Sequence, residues 1–456
     1  MTRAREHWGS RIGFILAASG SAVGLGNIWK YPYMAGQHGG AAFTLVYLIC
    51  IFVVGLPILL AEFAIGRRTQ LNPVGAFRTL SGTKRWKWVG FLGVAAAFVI
   101  LSFYSVIGGW SIKYTVMAVT GSFAYFTPGS VLSNEVFENF KTNPIEPVLW
   151  HLIFMALCIF IIVRGVKSGI ERWSKILMPL LVMILVVLVI RGITLEGSME
   201  GIRFLFQPKW GDLDASGVVA ALGHAFFTIS LGMGAMITYG SYLQSDSDLL
   251  KSGLAIILLD TAIALLAGIA IFTAVFAFGQ NPAEGEGLIF VVLPTLFPQI
   301  PGGSIFGILF FFLLFVAALT SAVSILEVVT AYFIDEKGWS RSRATFIFGG
   351  VIASIGVLAS LSLSGYNILS PLGDITFFGL LDTVSYKYML PIGGFLTAVF
   401  VVVRWRVPQF IEELKTGISW SRVPAPVVTA FFVVAGLLVA YILLSEVWVV
   451  VKLWFV

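Results

Sequence analysis

The chain has 456 residues, 58% of them hydrophobic and only 11% charged, with a formal net charge of +6. That composition excludes a soluble globule and indicates a polytopic membrane protein. Nucleic-acid binding would need a basic patch on a soluble fold, and the two cysteines, Cys50 and Cys158, both lie inside apolar runs and offer no disulfide or metal framework.

Eleven apolar runs are long enough to cross about 30 Å of hydrocarbon: residues 11–36, 41–66, 88–118, 147–163, 174–192, 217–243, 252–279, 304–334, 343–362, 376–403 and 425–450. The first begins as RIGFILAA and continues into SGSAVGLGNIWKYP, residues 19–32, where Gly20, Gly24 and Gly26 fall where a bilayer helix should keep its hydrogen bonds. The spacing predicts a broken helix, tolerable in hydrocarbon only where the freed N–H and C=O groups face protein, water or a ligand. The alternative is close helix packing, which also favours glycine. A cleaved signal peptide fits the basic flank and small residues of RIGFILAASGSA, but cleavage would destroy the first span.

Arg3, Arg5 and Arg11 precede span one; Arg67, Arg68, Arg78, Lys84, Arg85 and Lys87 follow span two; Arg164, Lys167, Arg172 and Lys175 follow span four. With Lys337, Arg341, Arg343, Arg404, Arg406, Lys415 and Arg422 they lie on one side, against Lys141, Arg191, Arg203, Lys209 and Lys452 on the other. The positive-inside rule then puts the N-terminus in the cytoplasm and, after eleven crossings, the C-terminus outside.

The connection TPGSVLSNEVFENFKTNPIEP before span four reads as a polar loop with turn residues. Span five carries Gly169 and, ten positions on, Pro179, which frees backbone groups and marks a kink. Span six contains FFTISLGMGA, residues 226–235, whose Gly232-Met233-Gly234 echoes Gly24-Leu25-Gly26. Two interrupted helices at corresponding places in two halves point to a secondary transporter's binding site. Between spans seven and eight, GQNPAEGEGLIFVVLPTLFPQIPGG is apolar but too proline-broken to span, and reads as a hairpin lid. The expected fold is therefore all-α, one transmembrane domain over residues 1–456. Residues 11–192 and 217–404 form inverted five-helix repeats, and residues 425–452 stand outside them as an extra helix.

Glu62, Asp260, Glu327 and Asp382 lie within apolar runs, where a charge costs about 2.5 to 3.5 kcal/mol on insertion scales. Proton relay, cation ligation and structural hydrogen bonding all fit them; beside two broken helices, cation ligation is favoured. In span eight, Ala317, Thr320, Ser321 and Ser324 share one helical face. Such a stripe commonly serves close packing, yet oxygen ligands without His or Cys suit a hard cation such as sodium. No nucleophile–base pair or metal cluster suggests an enzyme.

EHWGSRIGFILAASGSAVGLGNIWKYPY, FFTISLGMGAMITYGSY and LFFFLLFVAALTSAVS together resemble the neurotransmitter:sodium symporter family, in its bacterial leucine-transporter-like branch. The resemblance implies a sodium-coupled symporter of hydrophobic L-amino acids in the plasma membrane, working by alternating access. One sodium ion would be held by the Ala22 carbonyl, Asn27, Thr228 and Asp260. A second would lie between the carbonyls of Gly20, Val23 and Ala317 and the hydroxyls of Thr320 and Ser321. The substrate carboxylate would meet backbone near Leu25 and Gly26 and the Tyr104 hydroxyl; its amino group would meet carbonyls around Ala22, Phe227 and Thr228. Ile100, Phe227, Ser230, Met233, Ser321 and Ile325 would line the side-chain pocket, suiting leucine, valine or tryptophan, with a narrow tryptophan or tyrosine transporter as the rival.

The same resemblance makes Lys30 and Asp382 the outer gate, and Arg5 with Asp335, Trp8 and Tyr242 the inner one. Glu62 would satisfy the unwound backbone of span six, and His224, where relatives often carry glutamine, leaves room for a pH effect but reads rather as a satisfied structural histidine. Gly24 replaces the aspartate of monoamine-transporting relatives, so the substrate must bring its own carboxylate. Asp260 replaces an asparagine and Ala264 a serine found in chloride-dependent relatives, which implies chloride independence. A transport-incompetent sensor or a sodium-leak channel would use the same scaffold. A monomer suffices for the site, and the oligomeric state is open.

Overall fold

The computed structural model describes residues 5–127, 131–284, 287–365, 375–416 and 424–454; Arg3 and Arg422 of the basic residues above lie outside them. All its regular elements are helices. The first run is two helices, α1 (Arg11–Ala22) and α2 (Gly26–Gln37), bent by 47°. α1 starts where Ser10 Oγ accepts the Gly13 N–H, and it ends as Val23 leaves the helical region at φ −75°, ψ 99°. The break thus falls at residues 23–25, and Gly20 remains helical.

Then come α3 (Ala41–Thr69), the short α4 (Pro73–Ser81) and α5 (Lys87–Val119). The connection read as a loop holds a helix, α6 (Val131–Thr142), whose Phe137 and Phe140 are buried; its polar outer face had hidden it from a search for apolar runs. α7 (Glu146–Val163), α8 (Val166–Ile193) and the short α9 (Ser198–Phe206) follow. Pro179 lies inside α8, which remains helical on both sides of it.

Span six is α10 (Ala215–Thr228) and α11 (Ala235–Gly240), separated by six residues in other conformations. Ser230 and Gly232 take φ of 53° and 78° in that stretch. Only glycine serves at 232, because an added Cβ would also strike the Leu390 carbonyl. The rest are α12 (Leu249–Ala277), the apolar lid α13 (Leu288–Gln299), α14 (Gly303–Lys337), α15 (Arg341–Ser362), α16 (Phe377–Trp405), α17 (Val407–Lys415) and α18 (Ala425–Trp454).

By length and apolarity nine helices among the described residues can cross a membrane, or ten if α1 and α2 count as one span. The eleventh expected crossing is the interrupted α10/α11, neither half of which is long enough alone. α14 and α5 pack along one another at the centre, and 78% and 72% of their apolar windows are buried, against 28% for α18. The lid is anchored rather than loose: Phe290 packs on Trp110 and Tyr114 of α5 and stacks on Phe137 of α6.

At the end of α3 the buried Arg67 donates to Glu413 Oε1 at 2.7 Å and to the Glu413 and Ser247 carbonyls, locking α17 onto the bundle. Removing one partner of a buried pair leaves an uncompensated charge. Arg67→Ala is expected to cost about 3–5 kcal/mol, read as a lowered thermal unfolding midpoint of the detergent-solubilised protein; an unchanged midpoint would mean that the pair is not closed in the membrane protein.

Candidate functional site

The two interruptions face each other across a cavity. It is lined by Ser21, Ala22, Gly24 and Gly26 in and beside the first break, Ile100 and Tyr104 from α5, Phe227, Ser230 and Met233 in and beside the second break, and Ser321 and Ile325 from α14. Its free volume is only about 10 Å³, about enough for one water, so these side chains have closed on one another. Nine of the eleven residues expected to meet a substrate line it. Leu25 and Thr228 do not: Leu25 offers its backbone N–H, which donates to Tyr104 Oη at 3.1 Å, and Thr228 turns its hydroxyl towards Asp260.

Ser21 and Gly24 line the cavity although they were not among the expected substrate contacts. Their signal was position: both stand in the stretch where α1 ends. The Ser21 carbonyl accepts from Ser230 Oγ at 2.8 Å and from Ser321 Oγ at 3.1 Å, so one freed peptide joins three elements. At Gly24 an added Cβ would strike Ser321 Oγ and come within 2.7 Å of Tyr104 Oη.

Asp260 is fully buried and meets two of the residues expected around one cation, Asn27 and Thr228. Asn27 Nδ2 donates to its Oδ1 at 2.8 Å and to its backbone carbonyl at 3.1 Å, and Thr228 Oγ1 donates to Oδ1 at 3.1 Å. Asn27 Oδ1 in turn accepts the freed Gly24 N–H at 3.1 Å. The carboxylate and backbone carbonyl of Asp260 with the Thr228 hydroxyl are oxygen donors of the kind hard cations take, while Asn27 turns its amide nitrogen to Asp260 and its oxygen to Gly24.

A second oxygen cluster joins α1 to α14. Ser321 Oγ lies 3.2, 3.1 and 3.3 Å from the carbonyls of Gly20, Ser21 and Val23, and Thr320 Oγ1 points back at the carbonyls of Val316 and Ala317, at 3.2 and 3.1 Å. Two hydroxyl hydrogens cannot serve all these acceptors at once. Oxygens gathered in this way are the donor type that a hard cation takes.

The four intramembrane carboxylates divide by role, Glu62 and Asp382 meeting the partners expected of them and Glu327 taking a structural ion pair in place of a cation. Glu62 Oε1 accepts the Gly232 N–H at 2.8 Å, in the second break. Glu327 pairs with Arg341 at 2.7 Å and accepts from Tyr242 Oη at 2.5 Å. Asp382 lies 3.6 Å from Lys30 Nζ. Asp260 alone adjoins the expected ion ligands. His224 departs from expectation too: it is fully buried, neither ring nitrogen has a hydrogen-bond partner among the described residues, and its ring stacks against Tyr31.

Each end of the site is shut. On one side the Lys30–Asp382 pair is loose, but Lys30 Nζ also sits 3.6 Å above the Tyr386 ring, and Tyr386 packs on Phe227. On the other, Arg5 Nη1 reaches both Asp335 oxygens at 2.6 and 2.5 Å, with side chains only 15% and 11% exposed. Trp8 donates to the Tyr239 carbonyl at 3.0 Å and to the Tyr242 carbonyl at 3.1 Å. Sequence reading missed two members of this closure, Glu6 and Glu171, and did not join Glu327 to Arg341. Glu6 binds Arg341 and the Val166 N–H, and Glu171 accepts from Gly9 and Ser10; these, with Glu327 and Arg341, tie the N-terminal segment to α8 and α15.

The sodium:neurotransmitter symporter family model matches residues 5–145 and 142–454. An uncharacterized sodium-dependent transporter of Bacillus subtilis (strain 168), YhdH, is 40% identical over 90% of each chain, and one of Methanocaldococcus jannaschii is 32% identical over 91% of this chain and 87% of its own. Among solved structures, MhsT in complex with L-phenylalanine superposes with a TM-score of 0.89 at 45% identity, covering 97% of this chain and all of the other.

Gly24→Ala is expected to cost about 1–3 kcal/mol by overpacking, seen as a lower melting midpoint. An unchanged midpoint would show that Ser321 and Tyr104 part freely from the first break.

Proposed function

We propose, from the premise that the chain belongs to the sodium:neurotransmitter symporter family, that it imports hydrophobic L-amino acids together with sodium by alternating access, without chloride. The single observation that carries this reading is the meeting of two interrupted helices around a mostly apolar cavity bounded on two sides by oxygen clusters.

In this reading the substrate carboxylate takes the Leu25 and Gly26 N–H groups and the Tyr104 hydroxyl, displacing the bond that Tyr104 now makes to Leu25. The ammonium meets the carbonyls of Ala22, Phe227 and Thr228. Its side chain pushes apart Ile100, Phe227, Met233 and Ile325, with Ser230 and Ser321 at the edge. Methionine is unbranched and adapts to different shapes, which supports a range from valine and leucine to tryptophan; that MhsT binds L-phenylalanine supports an aromatic among them. With Gly24 adding no carboxylate, the zwitterion is required.

The first sodium sits among the Ala22 carbonyl, Asn27, Thr228 and Asp260, where Asp260 supplies the fixed negative charge that makes chloride unnecessary. The second sits among Gly20, Val23, Ala317, Thr320 and Ser321 and holds α1 to α14. Residues 11–192 and 217–404 act as inverted repeats, with the N-terminus in the cytoplasm, so Lys30 and Asp382 close the outer path, and Arg5, Asp335, Trp8 and Tyr242 close the inner one. Loss of the second ion frees α1, and Gly169 and Pro179 let α8 loosen beside it. Each monovalent charge carried inward gains about 2.3 kcal/mol per 100 mV.

Counterflow of radiolabelled leucine or tryptophan in proteoliposomes is expected to require sodium and to persist when gluconate replaces chloride; equal transport in potassium would contradict the coupling. Asp260→Ala is expected to weaken sodium-dependent substrate binding by at least about tenfold, by removing a charge from a buried ion site, and an unchanged sodium affinity would take Asp260 out of that site.

A further inference from the structure

A second cavity, of about 480 Å³, lies between α3, α17 and α18, with Leu250 of α12 at its edge. This is the size of a small-molecule site. Every lining residue is apolar except Lys415. Along α3 the wall runs from Phe52 to Leu60, about 12 Å at 1.5 Å per residue. The opposite wall, Phe410 and Leu414 of α17 with Phe431 of α18, is held in place by the buried Arg67–Glu413 pair.

Lys415 lines the cavity, and two further basic residues, Arg68 and Lys251, stand on helices that contribute to its walls. Lys415 is exposed and makes no ion pair with a described residue. Arg68 beside the locked Arg67 is 62% exposed and 3.6 Å from Glu413, whose charge Arg67 already neutralises. Lys251, next to Leu250, is 69% exposed and paired with Asp248 at 3.5 Å. Glu412 is exposed but does not line the cavity. These residues belong to the side of the protein that carries the basic excess, which faces the anionic leaflet.

We propose that this cavity binds one anionic glycerophospholipid of that leaflet. An acyl chain fills the apolar slot and the headgroup phosphate rests on Lys415 and Arg68. The depth and the apolar walls suit a hydrocarbon chain, and a lysine without an ion-pair partner among the described residues suits the charge that a zwitterionic lipid would not leave in excess. Because α18 forms one wall and is the most lipid-exposed span, the chain enters from the bilayer without any opening of the bundle.

Native mass spectrometry of the full-length protein, titrated with phosphatidylglycerol and with phosphatidylcholine of the same acyl chains, tests this. The wild type is expected to retain one phosphatidylglycerol at least about tenfold more tightly than phosphatidylcholine. Leu56→Trp, which fills the slot, should abolish retention of that one lipid. Lys415→Glu, a surface change that leaves the core untouched, should reduce phosphatidylglycerol to the level of phosphatidylcholine. Equal retention of phosphatidylglycerol by wild type and Lys415→Glu would overturn the proposal. So would equal retention of the two lipids by the wild type, or a dimer that Leu56→Trp dissociates, which would make a second copy of the chain the occupant.

Discussion

A peptide group that leaves its helix inside hydrocarbon must find another partner, because no water is there to supply one. The rest of this molecule is arranged around that constraint at two places. At the first break the Leu25 N–H goes to Tyr104 and the Gly24 N–H to Asn27; at the second the Gly232 N–H goes to Glu62. Among the described residues the carbonyls of Gly20, Ser21 and Val23 share the hydroxyls of Ser230 and Ser321. Each of these side chains is borrowed from another element, so breaking the helices also binds α3, α5, α11's approach and α14 into one centre.

The partners are of a kind that a ligand can replace. A tyrosine hydroxyl on a backbone N–H stands where a carboxylate would be a stronger acceptor, and a serine hydroxyl among three carbonyls stands where a cation would satisfy all of them. The free volume of about 10 Å³ fits the proposed function, in which substrate and ions would take over from side chains the partnering of these backbone groups. Both ends are shut around this centre, one by a buried arginine network, the other by a single lysine over an aromatic ring.

Much of this was legible in the sequence because breaks in a membrane helix leave a strong mark. Glycine pairs at 24/26 and 232/234 located both interruptions, and hydropathy placed α7 within one residue at its start. What hydropathy could not see were helices with polar outer faces, such as α6 and α9, since a search for spans rewards only length and apolarity. Charged partners far apart in the chain were equally hidden. Arg341 counted as one more interfacial base until α14 and α15 placed it on Glu327, and Glu171 gave no sign of reaching Gly9. His224 shows the opposite failure: a buried histidine is expected to be hydrogen-bonded, and here aromatic stacking surrounds it instead.

The central claim is that uncovered backbone dipoles at the first break, together with Tyr104, recognise a carboxylate. Equilibrium binding of L-phenylalanine and of its methyl ester, in the same sodium buffer, tests it most directly, since the two differ only at that group. The free amino acid should bind and the ester should not compete at a hundredfold higher concentration, roughly the loss of one charge-assisted hydrogen-bonded contact of about 3 kcal/mol. Equal affinities would show that the carboxylate is not held at the break, and the account built on it would fail.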